Sequence, residues 1–280
     1  MWPRSKEGTI RYRNWLRHRE AALIADRVRR RFPRLGDAAR DPLILEFGSG
    51  EGHQLPVLRE LGRVVATDVY INPHLRLARP GDPFLVCDIT RPPFRVGTFD
   101  LIFSNHVLEH IPDLDRALDE VQRIAAPNCV YAFSVPTPLW LFLSIPMRYL
   151  DKIRRVFGRL FGRRKPKATV AANRLIAEDN PNKTPEKKSS LAFLLPGGHG
   201  EYPGFWQAVL AFRKSEWLRR FDRHGFRVVE YRRLMLYANA RWPWIPANTI
   251  LPCIGLASSQ LFLLESDGSG REPKSGKGTA

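Results

Sequence analysis

The chain has 280 residues, a formal net charge of +17 at pH 7 and an apolar fraction of 44%. That length suits one large α/β domain with insertions, or barely two domains. Three cysteines (Cys87, Cys129, Cys253) without ligand or pairing spacing exclude a disulfide framework, and no window supplies the roughly 20 apolar residues that a membrane-spanning helix needs. The charge is unevenly placed. Residues 1–40 hold twelve Lys/Arg against four Asp/Glu, and residues 148–167 hold nine against one, Asp151. Basic excess outside a near-neutral centre points to an anionic partner: nucleic acid, an anionic membrane or a charged substrate.

In chain order, the opening Trp2-Pro-Arg-Ser-Lys lacks the apolar stretch of a secretory signal, so a reducing, cytoplasmic setting is expected. Residues 11–32 read as an amphipathic helix with Trp15, Leu16, Ala22, Leu23 and Val28 on its apolar side. Leu43–Phe47 has the look of a buried parallel strand. It carries Glu46 and runs into Gly48, Gly50 and Gly52, a turn almost without side-chain bulk that lets a ligand lie against bare backbone. A second apolar run, Val64–Thr67, ends in Asp68. Strand, glycine turn, helix, strand and acid is the layout of a nucleotide-type cofactor site in an α/β sheet. The dinucleotide fingerprint would need a glycine at position 53, which is His53. Glu46 and Glu51 around the turn would repel a pyrophosphate and favour a ligand carrying an ammonium and a sulfonium.

Further runs follow. Phe84–Asp88, then Ile89, is an apolar stretch ending in an acid. Phe99–Asn105 is another, leading into His106-Val-Leu-Glu109-His110. Residues 112–124 show helical spacing at Leu114, Leu118, Val121 and Ile124, and Cys129–Val135 reads as a strand. Residues 138–165 begin with Leu139-Trp-Leu-Phe-Leu and continue as a helix-like run with Leu150, Ile153, Val156, Phe157, Leu160 and Phe161 against many Lys/Arg. Two readings stand for it: a helix lying in an anionic membrane interface, or a helix packing its stripe on its own domain. Residues 166–190 read as a polar surface loop, and Ser266–Ala280 as a disordered tail. Arg241-Trp-Pro-Trp244-Ile-Pro246 is a proline-rich loop suited to core packing, an acceptor pocket or an interface belt.

These segments resemble the class I S-adenosylmethionine-dependent methyltransferases, closely over 45–136 and more loosely over 198–265. There, 215–229 is similar to the family's last helix and sixth strand, and Ser259–Glu265 to its seventh strand. The resemblance implies a Rossmann-like, doubly wound α/β fold: a seven-stranded, mostly parallel sheet with an antiparallel last strand and helices on both faces. The expected organisation is a basic N-terminal helical segment (1–40), a cofactor core (41–136), an amphipathic basic insertion with a mobile loop (137–197), the remainder of the domain (198–265) and a tail (266–280). In the family a leading helix often covers the cofactor cleft.

By the same resemblance the cofactor is S-adenosylmethionine. Glu46, Gly48, Gly50 and Gly52 would line its methionine end, and Asp68 would accept both ribose hydroxyls. Asp88 would accept from the adenine amino group with Ile89 against the ring. Ser104 and Asn105 would face the methionine portion. The competing readings are a turn acid for Asp88 and a loop cap for Asn105. Direct methyl displacement needs a base only when the acceptor must lose a proton. The candidates are His106 first, then His110 and His199, with Tyr202 as a substrate contact in Gly197-Gly-His-Gly-Glu-Tyr202. A structural role is the alternative for each histidine. No metal motif is read, because the histidines and cysteines lack ligand spacing.

Three functions follow. The first is a methyltransferase acting on a small-molecule or lipid-like acceptor, peripheral to the inner face of a membrane through 138–165. The second is an RNA methyltransferase using the basic flanks, disfavoured because Ser104-Asn-His-Val stands where a base-methylation motif of the Asn-Pro-Pro-Tyr type would be. The third is a non-catalytic S-adenosylmethionine-binding protein. Acceptor atom, pathway and oligomeric state are not legible in the sequence.

Overall fold

The structure is a computed structural model that describes residues 6–36, 41–77, 81–161, 198–237 and 249–267. Its centre is a seven-stranded sheet. The strands are β1 (Leu43–Phe47), β2 (Arg63–Asp68), β3 (Phe84–Val86), β4 (Phe99–Asn105), β5 (Ala125–Pro136), β6 (Phe226–Arg233) and β7 (Ser259–Ser266). Their order is β3-β2-β1-β4-β5-β7-β6. The first five run parallel, and β7 runs antiparallel to both β5 and β6. This is the expected doubly wound, Rossmann-like architecture. The order reverses at β1 and β4, and ligands of such sheets bind beyond the carboxyl ends of the strands at that reversal.

The helices are α1 (Lys6–Arg31), α2 (Leu55–Leu58), α3 (Leu114–Ile124), α4 (Pro138–Phe161), α5 (Phe205–Ala211) and α6 (Lys214–Arg223). Strand alternation splits the apolar side chains between two faces. Ile44, Leu101, Phe103, Val130, Ala132, Leu261 and Leu263 pack with α1 and α2. Leu45, Phe47, Ile102, Tyr131, Phe133, Val135 and Phe262 pack with α3 and α6. A satellite cluster holds Leu141 of α4 against Phe205, Ala208, Val209 and Phe212.

Three expectations need correction. The buried ladder of α1 is Tyr12, Leu16, Glu20, Ile24 and Val28, at strict four-residue spacing, while Trp15 is exposed. The third strand stops at Val86, short of Asp88. The fifth begins at Ala125, directly after α3. Residues 138–161 form one continuous helix with Pro146 inside it. Leu141 is buried against α5, whereas Phe142, Leu150 and Ile153 are exposed. The side chains at 147–148, 151–152 and 154–161, the segment 166–190, the loop 241–246 and the tail beyond 267 lie outside the described residues. No helix among the described residues is long and apolar enough to cross a membrane.

Candidate active site

The glycine turn after β1 is shaped by what surrounds it. Gly48, Gly50 and Gly52 all have positive φ, at 78°, 56° and 77°, the left-handed region that side chains rarely tolerate. A Cβ on Gly48 would fall 2.2 Å from a methyl of Val107, and one on Gly52 would fall 2.2 Å from the carbonyl oxygen of Arg76. Gly50 differs, since a Cβ there would meet no described atom within 4 Å. The turn is therefore clamped at its two ends and open in the middle, which is the bare backbone a ligand can approach.

Two acids face this opening. Asp68, at the end of β2, accepts the Gly50 amide on Oδ2 and the Val69 amide on Oδ1, both at 2.8 Å. A carboxylate offers about four acceptor sites, so the remaining two suit a ribose diol. Glu46 is fully buried in β1. Its Oε1 accepts from Gln54 Nε2 at 3.0 Å, and its Oε2 has no hydrogen-bond partner among the described residues. Burial pushes its pKa up to about 8, and the charge of Asp68 adds to the rise. Gln54 Oε1 in turn accepts from Asn105 Nδ2 at 2.6 Å, and Asn105 Oδ1 accepts from the Ser134 hydroxyl. This polar row links β1, α2, β4 and β5.

Glu51 does not reinforce the two acids. It pairs with Arg13 of α1 and lies 2.8 Å from His53 Nε2, so its charge is compensated and the electrostatic case for a cation rests on Asp68, with Glu46 raised towards its neutral form. The Arg13 contact also brings the leading helix against the turn.

The other sequence candidates fall as follows. Asp88 is exposed and accepts the Thr90 amide at 2.8 Å, capping its own turn. Ile89 is buried in the core. Ser104 and Asn105 are both buried. Alternation sends them to opposite faces of β4, and the Asn105 amide is committed to Gln54 and Ser134.

His106 has φ 59°, a turn that folds its ring back under α1. Its Nε2 lies 3.2 Å from Glu20 Oε2 and 3.1 Å from the Tyr237 hydroxyl, and its Nδ1 lies 3.6 Å from Glu109 Oε1. Burial opposes the charged ring, but the Glu20 and Glu109 carboxylates outweigh it and raise the His106 pKa. Likewise burial opposes the Glu20 carboxylate, yet His106 and Arg17 bring its pKa down to about 2. His106 thus lies between two buried acids that favour its charged form, which suits a positioning group better than a proton acceptor. His110 is half exposed, with Nε2 3.9 Å from Glu109 Oε1. His199 and Tyr202 bridge each other in a short turn. The turn is held to Glu109 by the Glu201 amide, which donates to the Glu109 carbonyl at 3.0 Å.

Sequence reasoning missed Gln54, Ser134, Glu20 and Tyr237. Only Glu20 carried a local signal, as an acid in the apolar register of α1.

The comparisons with known proteins agree with this geometry. Residues 45–133 match the methyltransferase domain family. A demethylmenaquinone methyltransferase of Streptomyces avermitilis is 32% identical over 138 residues, covering 46% of this chain and 58% of that one. A malonyl-[acyl-carrier protein] O-methyltransferase of Salmonella typhimurium is 35% identical over 95 residues, covering 32% and 38%. The mitochondrial arginine-hydroxylase NDUFAF5 of Mus musculus is 30% identical over 123 residues, covering 42% and 34%. The chain therefore spans between about a third and three-fifths of the length of these relatives. Among solved structures, the complex of the Haloferax volcanii Trm112 methyltransferase activator with its methyltransferase aligns at TM-score 0.50 and 15% identity, covering 92% of this chain and 93% of that one. This last likeness concerns the fold alone.

Residues 45–133 form a methyltransferase domain of the class I S-adenosylmethionine-dependent type. S-adenosylmethionine is the cofactor of its domain, and the open glycine turn, the ribose-competent Asp68 and the unpartnered oxygen of Glu46 fit that molecule.

Proposed function

We propose that the protein moves a methyl group from S-adenosylmethionine, by direct displacement, to a small or lipid-like acceptor at a membrane surface. When bound, the cofactor supplies a methyl group on a positively charged sulfur, which needs no further activation. The chain's own task is to hold both reactants in line and keep water out. Orientation of this kind is worth roughly 7–11 kcal/mol of the barrier. The glycine turn gives backbone contact, Asp68 the sugar contact, and Glu46 an anionic charge once a cation displaces its proton. The Glu20–His106 pair fastens α1 beside the site and excludes solvent from that side.

The observation that carries the acceptor class is an exposed aromatic corner beside the carboxyl end of β5. The Phe142 ring stands 5.4 Å from Phe205 and 6.3 Å from Trp206. Trp206 is 58% exposed and Leu210, one turn on, 51% exposed. Contiguous apolar surface of this kind marks an interaction site, and in the sequence Phe142 is followed by the basic stretch at 148–167. A relative that by name methylates demethylmenaquinone supports a quinone-like acceptor.

The test is a transfer assay with methyl-labelled S-adenosylmethionine on a fractionated cell extract. Label is expected in the lipid-soluble fraction. Label confined to RNA or protein, or no transfer at all, would overturn the reading.

A further inference from the structure

We propose that Glu109, His110 and His199 form a binding site for one divalent transition-metal ion. The three residues each offer a ligand atom, and these atoms all lie within 4.8 Å of one another. Two come from the 3₁₀ turn Leu108–His110 after β4. The third comes from a turn some 90 residues later, so the site is assembled by the fold and not by local spacing.

The assembly is specific. Gly200 (φ +62°) sits so close that a Cβ there would fall 2.0 Å from the Glu109 carbonyl oxygen. Together with the Glu201–Glu109 backbone bond, this seats the His199 turn directly on Glu109. The His199 ring stands edge-to-face with His110 at 4.8 Å and with Trp140 at 4.7 Å, which fixes the imidazole plane as packing does around a designed site.

Glu109 supplies an independent observation. Its side chain is 1% exposed, and neither carboxylate oxygen has a hydrogen-bond partner among the described residues. The nearest imidazole nitrogens are His106 Nδ1 at 3.6 Å and His110 Nε2 at 3.9 Å. Buried polar atoms are nearly always hydrogen-bonded, so these two open oxygens leave coordination for an ion beyond the charge that His106 sets beside Oε1. His106 Nδ1 reaches the same oxygen, Oε1, and His106 is itself held by Glu20, the kind of outer support that orients a metal ligand.

The donor set selects the ion. Two imidazole nitrogens and one carboxylate suit zinc, iron, cobalt or nickel, whereas magnesium and calcium prefer all-oxygen sites. With bonds of about 2.0–2.2 Å, ligand atoms lie at most about 4.3 Å apart across the ion. Closing from the observed spacing takes a small rotation of His110, whose side chain is 48% exposed. Three protein ligands leave a position open. With an ion in place, His110 and His199 act as ligands and not as proton acceptors.

The test is titration of the full-length, chelator-stripped protein with Co²⁺, read by visible ligand-field absorption, with Zn²⁺ as competitor. One equivalent is expected to bind, without a thiolate charge-transfer band. His110→Ala and His199→Ala should each weaken binding at least about tenfold, with unchanged far-ultraviolet circular dichroism. His74→Ala, an exposed histidine elsewhere, should bind like the wild type. Absence of the Co²⁺ spectrum in folded wild type, equal affinity in either histidine variant, or a thiolate band would overturn the proposal. The readout does not use methyl transfer, so it stands or falls separately from the function proposed above.

Discussion

Glu20 of α1 and His106 after β4 meet 86 residues apart in the chain, with Glu20 Oε2 3.2 Å from His106 Nε2. Both side chains are nearly inaccessible, and removing Glu20 leaves His106 with Glu109 and the Tyr237 hydroxyl. Glu20→Ala is expected to cost about 3 kcal/mol of stability, the low end for breaking a buried pair, because Glu109 still faces the ring. Glu20→Leu with His106→Leu should recover part of that loss, because position 20 lies in the apolar ladder of α1. Urea unfolding of the two single variants and the double variant measures the coupling.

Glu46 gives a pH dependence. Its folded-state pKa lies at about 8, above the ordinary 4.5. The stability contributed by its neutral form is complete below the unfolded value and is lost as pH rises through the folded one. Relative to Glu46→Gln, the wild type should lose several kcal/mol, on the order of 5, between about pH 4.5 and 8. Denaturant midpoints of both proteins across this range provide the check. Parallel curves would show that the carboxyl is ionised throughout.

Asp68→Ala should weaken S-adenosylhomocysteine binding by at least tenfold, about 1.4 kcal/mol, since the variant loses its sugar contact and the brace on the Gly50 amide. Calorimetric titration gives the number. Asp88→Ala should change affinity much less, because that carboxylate caps its own turn.

The glycines of the turn should not respond alike. Gly48→Ala and Gly52→Ala combine a positive φ with contacts at 2.2 Å. Each should destabilise the fold by more than the roughly 1–2 kcal/mol of left-handed strain alone. Gly50→Ala should show that strain and little more in thermal melts, while still impairing cofactor binding by filling the open middle of the turn.

Membrane association is tested by flotation with anionic vesicles. Trp206→Ser combined with Leu210→Ser should reduce the floated fraction without unfolding the protein, since both side chains are more than half exposed. Equal flotation would mean that this corner takes no part.

Much of the fold is legible in the sequence because its strands are short apolar runs punctuated by acids and glycines. β1 and β4 occupy the expected residues. β5 extends back to Ala125 because α3 leads into it directly, a continuity that propensity does not mark. The glycine turn and Asp68 are legible because a ligand-approachable turn needs residues without side chains and an acid at a strand end. The partners of Glu46 and His106 are not, since Gln54, Ser134 and Tyr237 are ordinary residues until distant strands bring them together. The spacing rule for metals fails for the same reason. Glu109 and His110 are adjacent, but His199 reaches them only through the packing of Gly200.

The row from Ser134 through Asn105 and Gln54 to Glu46 has a fixed sense. Each amide spends its oxygen on the neighbour towards β5 and its nitrogen on the neighbour towards β1. The last donor, Gln54 Nε2, fills one oxygen of Glu46 with an N–H. The acid's own hydrogen is thereby confined to the opposite oxygen. Three uncharged side chains thus determine which atom of a fourth gives up its hydrogen when a positively charged guest arrives.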